Sequence, residues 1–375
     1  MIEDVTIEDL LGPEYVPVDG DRVLSQQEHS ALSQRLREIP SQPINLENDE
    51  LRVHGRSWTK EYMDALRVAH LDNLPLDRFF PPDYIPGDTD PVFSSLAAEV
   101  TQLKEDDIRS FSLEKCSISA VGFINFFNHL AELVTTGEAI LPEWLHSDSS
   151  SEVLPTSDEK DGAEYTARSC LISLLVGIVA KPSLGEIVPG WEFIVSSGRK
   201  KSCKIWLGNS GKVKAPNDEP ITLRTWDSVT RENMISQIPL VSLEAKARRP
   251  GDPDPFNWDT FAQEVAKLLG QAMASCKEMH GGWKDQDAWL ISIHGTEVRL
   301  VTARFKEGYL RQVNSSMVAR TEYLVVFRSR PFDLILDEGR VQAVKAIVAL
   351  LRWIKSGSSL QSTMHGVLNA ARSGA

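Results

Sequence analysis

Residues 238–247, IPLVSLEAKA, form an apolar run that turns charged at its end. In a strand alternate side chains share a face, so Glu244 and Lys246 project the same way, about 7 Å apart. A carboxylate and an ammonium leaving one strand end together suit a hard cation and a phosphate. The carboxylate can bind Mg²⁺ or Mn²⁺, and the lysine orients or deprotonates an attacking water and steadies charge on the phosphate. Both residue types are common, so about one Glu-x-Lys triplet is expected by chance in a chain of this length. Only the surroundings give it weight.

One carboxylate holds Mg²⁺ weakly, so a second is required. Asp227, closing the strand ITLRTWD, is the candidate for a metal ligand beside Glu244, and Asp218 in PNDEP competes for the role. A helix over 257–278 follows the motif directly, and its Gln263, Lys267 and Gln271 form one polar stripe at i, i+4, i+8. Glu164 lies on the helix that opens this half of the chain. Each residue also has a plain reading. Glu244 and Lys246 could be an ion pair at a strand end, and Asp227 could cap the next segment. Gln263 and Gln271 could be solvated, and Glu164 could favour a helix N-terminus.

The elements that must position these groups follow from periodicity. Residues 25–38, 58–71, 91–104 and 117–134 carry apolar residues at helical spacing, between Pro- and Asp-rich loops. The stretch 146–162, HSDSSSEVLPTSDEKDG, reads as a linker, too polar to offset its ordering entropy. A helix at 163–179 and a strand at 191–197 come next. A hairpin is expected over 202–214 around Gly208-Asn209-Ser210-Gly211, followed by strands at 221–226 and 238–247. The helix 257–278 has Asn257 or Asp259 as cap and a core face of Phe261, Val265, Leu268, Leu269, Ala272 and Met273. A hairpin at 287–305 turns on Gly295-Thr296, a strand covers 322–327, and a helix at 340–355 closes the chain's core. The order gives an α/β fold of the α+β sandwich kind. It divides into an acidic, mainly helical region at 1–145, the linker at 146–162 and a second domain at 163–375 that carries Glu244 and Lys246.

Over about residues 160–330 these motifs resemble the PD-(D/E)xK nuclease superfamily, and the overall make-up looks like nuclease-like proteins of filamentous fungi. The resemblance implies a restriction-endonuclease-like core. It implies Glu244 as the acid and Lys246 as the lysine of the (D/E)xK element, and Asp227 as the metal-binding aspartate. Gln263 would be the polar helix residue and Glu164 the acid of the first helix. Asp227 follows Trp226 rather than proline, which departs from the pattern. The activity implied is Mg²⁺- or Mn²⁺-dependent hydrolysis of DNA or RNA. The same fold is also compatible with a small-molecule biosynthetic enzyme or an inactive interaction protein, with a homodimer as one outcome.

A net charge of −13 hides a split: residues 1–160 hold 12 Lys and Arg against 31 Asp and Glu, and the remainder 28 against 22. The most basic stretch, 198–214, and the residues after the motif offer Arg199, Lys200, Lys201, Lys204, Arg248 and Arg249 to a nucleic-acid backbone, with salt-sensitive affinity. The acidic half would mask that face. The four cysteines show no paired or metal-like spacing, as expected of reduced thiols in cytoplasm or nucleus. No basic, apolar leader precedes the first helix, and no run approaches the ~20 apolar residues of a membrane span.

Overall fold

The computed structural model describes residues 24–46, 53–111, 114, 118–139, 157–196, 201–208, 211–217, 220–227, 232–236, 238–248, 256–278, 282–315 and 317–373. The helices that frame the site are α1 (Gln26–Glu38), α2 (Pro91–Val100), α3 (Ile124–Ala139), α4 (Ser157–Val179), α5 (Trp258–Glu278) and α6 (Asp337–Lys355). The strands are β1 (Val68–Leu74), β2 (Glu186–Val188), β3 (Trp191–Val195), β4 (Lys201–Leu207), β5 (Gly211–Asn217) and β6 (Ile221–Asp227). They continue as β7 (Glu232–Ile235), β8 (Ser242–Lys246), β9 (Gln286–His294), β10 (Glu297–Phe305), β11 (Leu324–Ser329) and β12 (Phe332–Asp333).

A mixed six-stranded sheet in the order β1-β11-β10-β9-β8, with β12 on β10, forms the centre. The β1/β11 and β8/β9 pairs are parallel, and β10 is antiparallel to both its neighbours. Facing residues in paired strands share a side. One face offers Leu290, Val301, Ala303 and Val326 to Phe261, Val265, Leu268 and Leu269 of α5. The other offers Leu243, Ile291, Leu300 and Phe327 to Val344, Ile347, Val348 and Leu351 of α6. Helix, sheet and helix therefore stack in layers, because each helix has one apolar stripe and the sheet two apolar faces. Asn257 caps α5, accepting from the Thr260 N–H at 2.9 Å, as its position before the apolar stripe requires. Two smaller units, β2-β3-β6-β7 and the ribbon β4-β5, complete the strands.

The N-terminal region departs from its sequence pattern. Residues 58–71 read as one helix, yet only Lys60–Ala65 is helical, and β1 joins the main sheet. Arg67, with φ of 54°, breaks the helix, and β1 is buried on both faces, so it lacks the alternation that marks a half-exposed strand. The expected linker does not separate two cores either. α4 begins at Ser157, inside that stretch, while 146–156 lie outside the described residues. Phe126 and Leu130 of α3 share one apolar cluster with Leu171, Leu174 and Leu175 of α4. Gly177 admits the contact, since a Cβ there would lie 2.5 Å from the Phe123 ring. By length and composition Gly162–Val179 is apolar enough to cross a membrane, contrary to expectation, and 44% of that window is buried in this fold.

Candidate functional site

The three residues of the polar stripe on α5, of which Gln263 and Gln271 could be solvated by sequence, face β8 instead. Successive side chains four residues apart on a helix advance about 6.0 Å, and alternate residues of a strand about 6.6 Å. A helix laid antiparallel on a strand can thus match the two periods rung by rung. Gln263 meets Lys246, whose Nζ donates to Gln263 Oε1 at 2.8 Å. One turn on, Lys267 pairs with Glu244 Oε2 and donates to the Leu243 carbonyl at 2.6 Å. A further turn on, Gln271 donates to the Leu240 carbonyl at 2.6 Å and accepts from Ser242 Oγ at 3.2 Å. Asn217, ending β5, fixes the strand from its other side, donating to Ser242 Oγ at 2.7 Å and accepting from the Leu243 N–H at 3.2 Å.

Around Lys246 the elements converge. Its Nζ lies 3.1 Å from Glu244 Oε1 and 3.6 Å from Glu164 Oε1, which reaches in from α4. Glu244 is buried, and each of its oxygens faces one lysine. Burial disfavours the Lys246 ammonium, but the carboxylates of Glu244 and Glu164 outweigh that and raise its pKa. The two carboxylates thus favour the protonated form of the lysine. The strand end is fixed by the turn after β9, where the Gly295 N–H donates to the Lys246 carbonyl at 2.9 Å. Gly295 has φ of 58°, and a Cβ there would lie 2.6 Å from the Arg248 carbonyl, so glycine is required.

Four of the expected residues, Glu164, Glu244, Lys246 and Gln263, thus meet. Asp227 does not. Ile221 bridges Val241 antiparallel, so β6 runs away from Glu244 as β8 runs toward it. Six residues of strand from that bridge put the backbone of Asp227 on the order of 20 Å away, where it pairs across to Glu232 in the β6–β7 hairpin. Its competitor Asp218 lies outside the described residues. Among the described residues no group of three or more His, Cys, Asp or Glu is placed to hold a metal.

The basic candidates also divide. Arg248 is largely covered and pairs with Glu297 at 3.0 Å. Lys204 is exposed on β4 opposite Lys214 of β5, on the outer side of the ribbon that packs on α5. Lys201 begins β4, and Arg199, Lys200 and Arg249 lie outside the described residues. Lys267 is the site residue that sequence reasoning named only as part of a polar stripe. Its signal was present: a lysine between Ala266 and Leu268, in register with Gln263 and Gln271. No family model matches this chain, and no curated protein matches it.

Proposed function

We propose that this chain is a divalent-metal-dependent phosphodiesterase of the PD-(D/E)xK type, hydrolysing DNA or RNA at Glu244 and Lys246. The observation that carries this reading is that oxygens from Glu244, Gln263 and Glu164, on three different elements, surround one cation, the Lys246 ammonium. The element order adds support: a helix with an inward acid, antiparallel strands, the Glu-x-Lys strand, a crossover helix and a parallel strand. Two carboxylates and an amide oxygen are donors of the kind that Mg²⁺ or Mn²⁺ takes. Glu244 and Glu164 would hold it, with Gln263 beside them. When bound, such an ion polarises the phosphoryl oxygen and lowers the pKa of a water.

The chain's own groups do the rest. Lys246, held protonated, offsets negative charge on the phosphate as the water oxygen bonds to phosphorus. The bond from phosphorus to the leaving sugar oxygen breaks, and that oxygen takes up, through solvent, the proton that the attacking water releases. Lys267 and the Gln263 amide fix the rotamers of Glu244 and Lys246, so the charges need no rearrangement during attack.

Lys267 also favours a second reading. With both Glu244 oxygens facing lysines, the cluster could serve as a structural ion-pair network in a non-catalytic interaction protein. Cleavage of plasmid, single-stranded DNA and RNA with Mg²⁺ or Mn²⁺ separates the two. Cutting by the wild type that disappears in folded Lys246→Ala and Glu244→Gln establishes the phosphodiesterase. No cutting by the folded wild type selects the second reading, and equal cutting by all three rejects this centre.

A further inference from the structure

The polar row beneath α5 does not stop at β8. Arg299 on β10, Arg328 on β11 and Asp72 on β1 continue it across the sheet. A cavity of about 260 Å³ opens between them and the first turn of α5, reached by Asn257, Thr260 and His294. His294 is the strand partner of Lys246, so the cavity adjoins the centre described above.

Its walls are charged and tied together by ion pairs. Arg328 donates from Nη1 to Asp72 Oδ1 at 2.8 Å, and its Nε lies 3.1 Å from Glu264 Oε2. The same guanidinium lies 5.6 Å from the centre of the Phe256 ring. That ring stacks on His70 at 4.1 Å, and His70 Nδ1 is 2.6 Å from Asp72 Oδ2. On the β10 side, Arg248 at 3.0 Å and Arg299 at 3.5 Å converge on a single oxygen, Glu297 Oε2. Two guanidiniums thus share one carboxylate on that wall, and the positive end of α5 points at the same space. Planar guanidiniums match the tetrahedral oxygens of phosphate by paired N–H donation, and burial strengthens the attraction. The enclosure suits an end group and is too small for a duplex passing through.

We propose that this cavity binds a phosphate monoester, carried by a free nucleotide or by a nucleic-acid end, through Arg299, Arg328, His294 and the first turn of α5. The proposal rests on the phosphodiesterase reading only in supposing that the phosphate belongs to nucleic acid. A strand end held here sets its next phosphodiester beside Lys246, which makes the substrate an end-phosphorylated strand.

The test is calorimetric titration of the full chain without divalent metal. The probes are inorganic phosphate, adenosine 5′-monophosphate, and hexadeoxynucleotides phosphorylated at the 5′ end, at the 3′ end or at neither. Phosphorylated oligonucleotides should bind at least tenfold more tightly than the unphosphorylated one. Arg299→Met and Thr260→Glu should each erase that difference. Thr260→Glu guards against a folding defect in the buried arginine variant, because an acid in the first helical turn favours the helix. Mononucleotide binding as tight as that of the oligonucleotide identifies a free nucleotide as the ligand, and oligonucleotide binding alone identifies a strand end. Equal affinity for all hexamers with no phosphate binding overturns the proposal, as does unchanged affinity in folded Thr260→Glu. Phosphate preference without cleavage would leave this site standing and remove the phosphodiesterase, and cleavage without preference would do the reverse.

Discussion

Two clusters of buried charge share one face of the sheet, and they are built differently. On β8 every charge is matched to a neighbour by the pitch of α5, and the side chains fill the space between helix and strand. On β10, β11 and β1 the charges stand around a void. The first arrangement fixes positions and the second leaves room for a guest. A buried ion pair is therefore informative about function chiefly through what lies beside it.

Breaking the first cluster should cost most. Glu244→Ala removes the buried carboxylate that Lys267 and Lys246 share and should lower stability by about 3 kcal/mol or more, measured by urea unfolding. Glu244→Met with Lys267→Met should recover most of it. A loss below about 1 kcal/mol would mean that water reaches the pair. Removing the Gln263 amide should matter less. Gln263→Leu should cost about 1 kcal/mol and, by exposing Lys246 to deprotonation, move the alkaline limb of activity to lower pH. An unchanged limb would make Gln263 merely structural.

The clusters should also fail at opposite ends of the pH scale. Burial alone would raise the carboxyls of Asp72 and Glu264. The His70 hydrogen bond and Arg328 for Asp72, and Arg328 with His294 for Glu264, hold both down at about 2. Their contribution is present above the unfolded carboxyl pKa, about 4, and lost as pH falls toward the folded value. Each is worth on the order of 2 kcal/mol. Lys246 shifts upward, so its contribution is complete below the ordinary lysine pKa and lost as pH rises through the raised one. Unfolding midpoints from pH 5 to 2.5 should fall less steeply in Asp72→Asn than in the wild type. Lys246→Met should flatten only the alkaline side. Asp227→Asn should have the smallest effect, within about 0.5 kcal/mol and with unchanged activity. Loss of activity in folded Asp227→Asn would return that residue to the site beside Glu244 and Glu164.

Much of this was legible in the chain. The apolar stripes of α5 and α6, the hairpin at Gly295 and the strand bearing Glu244 follow from period alone. The convergence of Glu164, Gln263 and Lys246 followed from putting the pattern on those elements. β1 was not legible, because a strand buried on both faces reads like a piece of helix. Asp227 failed for another reason. Strand identity says nothing of strand direction, and one antiparallel bridge at Ile221 sends its far end away from Glu244. The arginine cavity was invisible because its parts are spread from Asp72 to Arg328 and only the sheet order brings them together.

The contact between α5 and β8 behaves like a vernier. Its two scales differ by about 0.6 Å per division, so alignment is good over three rungs and drifts beyond them. Only Gln263, Lys267 and Gln271 can be read against the strand. A one-residue insertion on either scale would turn all three marks away together. Sequence drift at this seam is consequently constrained to paired changes, in which a helix residue and the strand residue opposite it are exchanged as a unit.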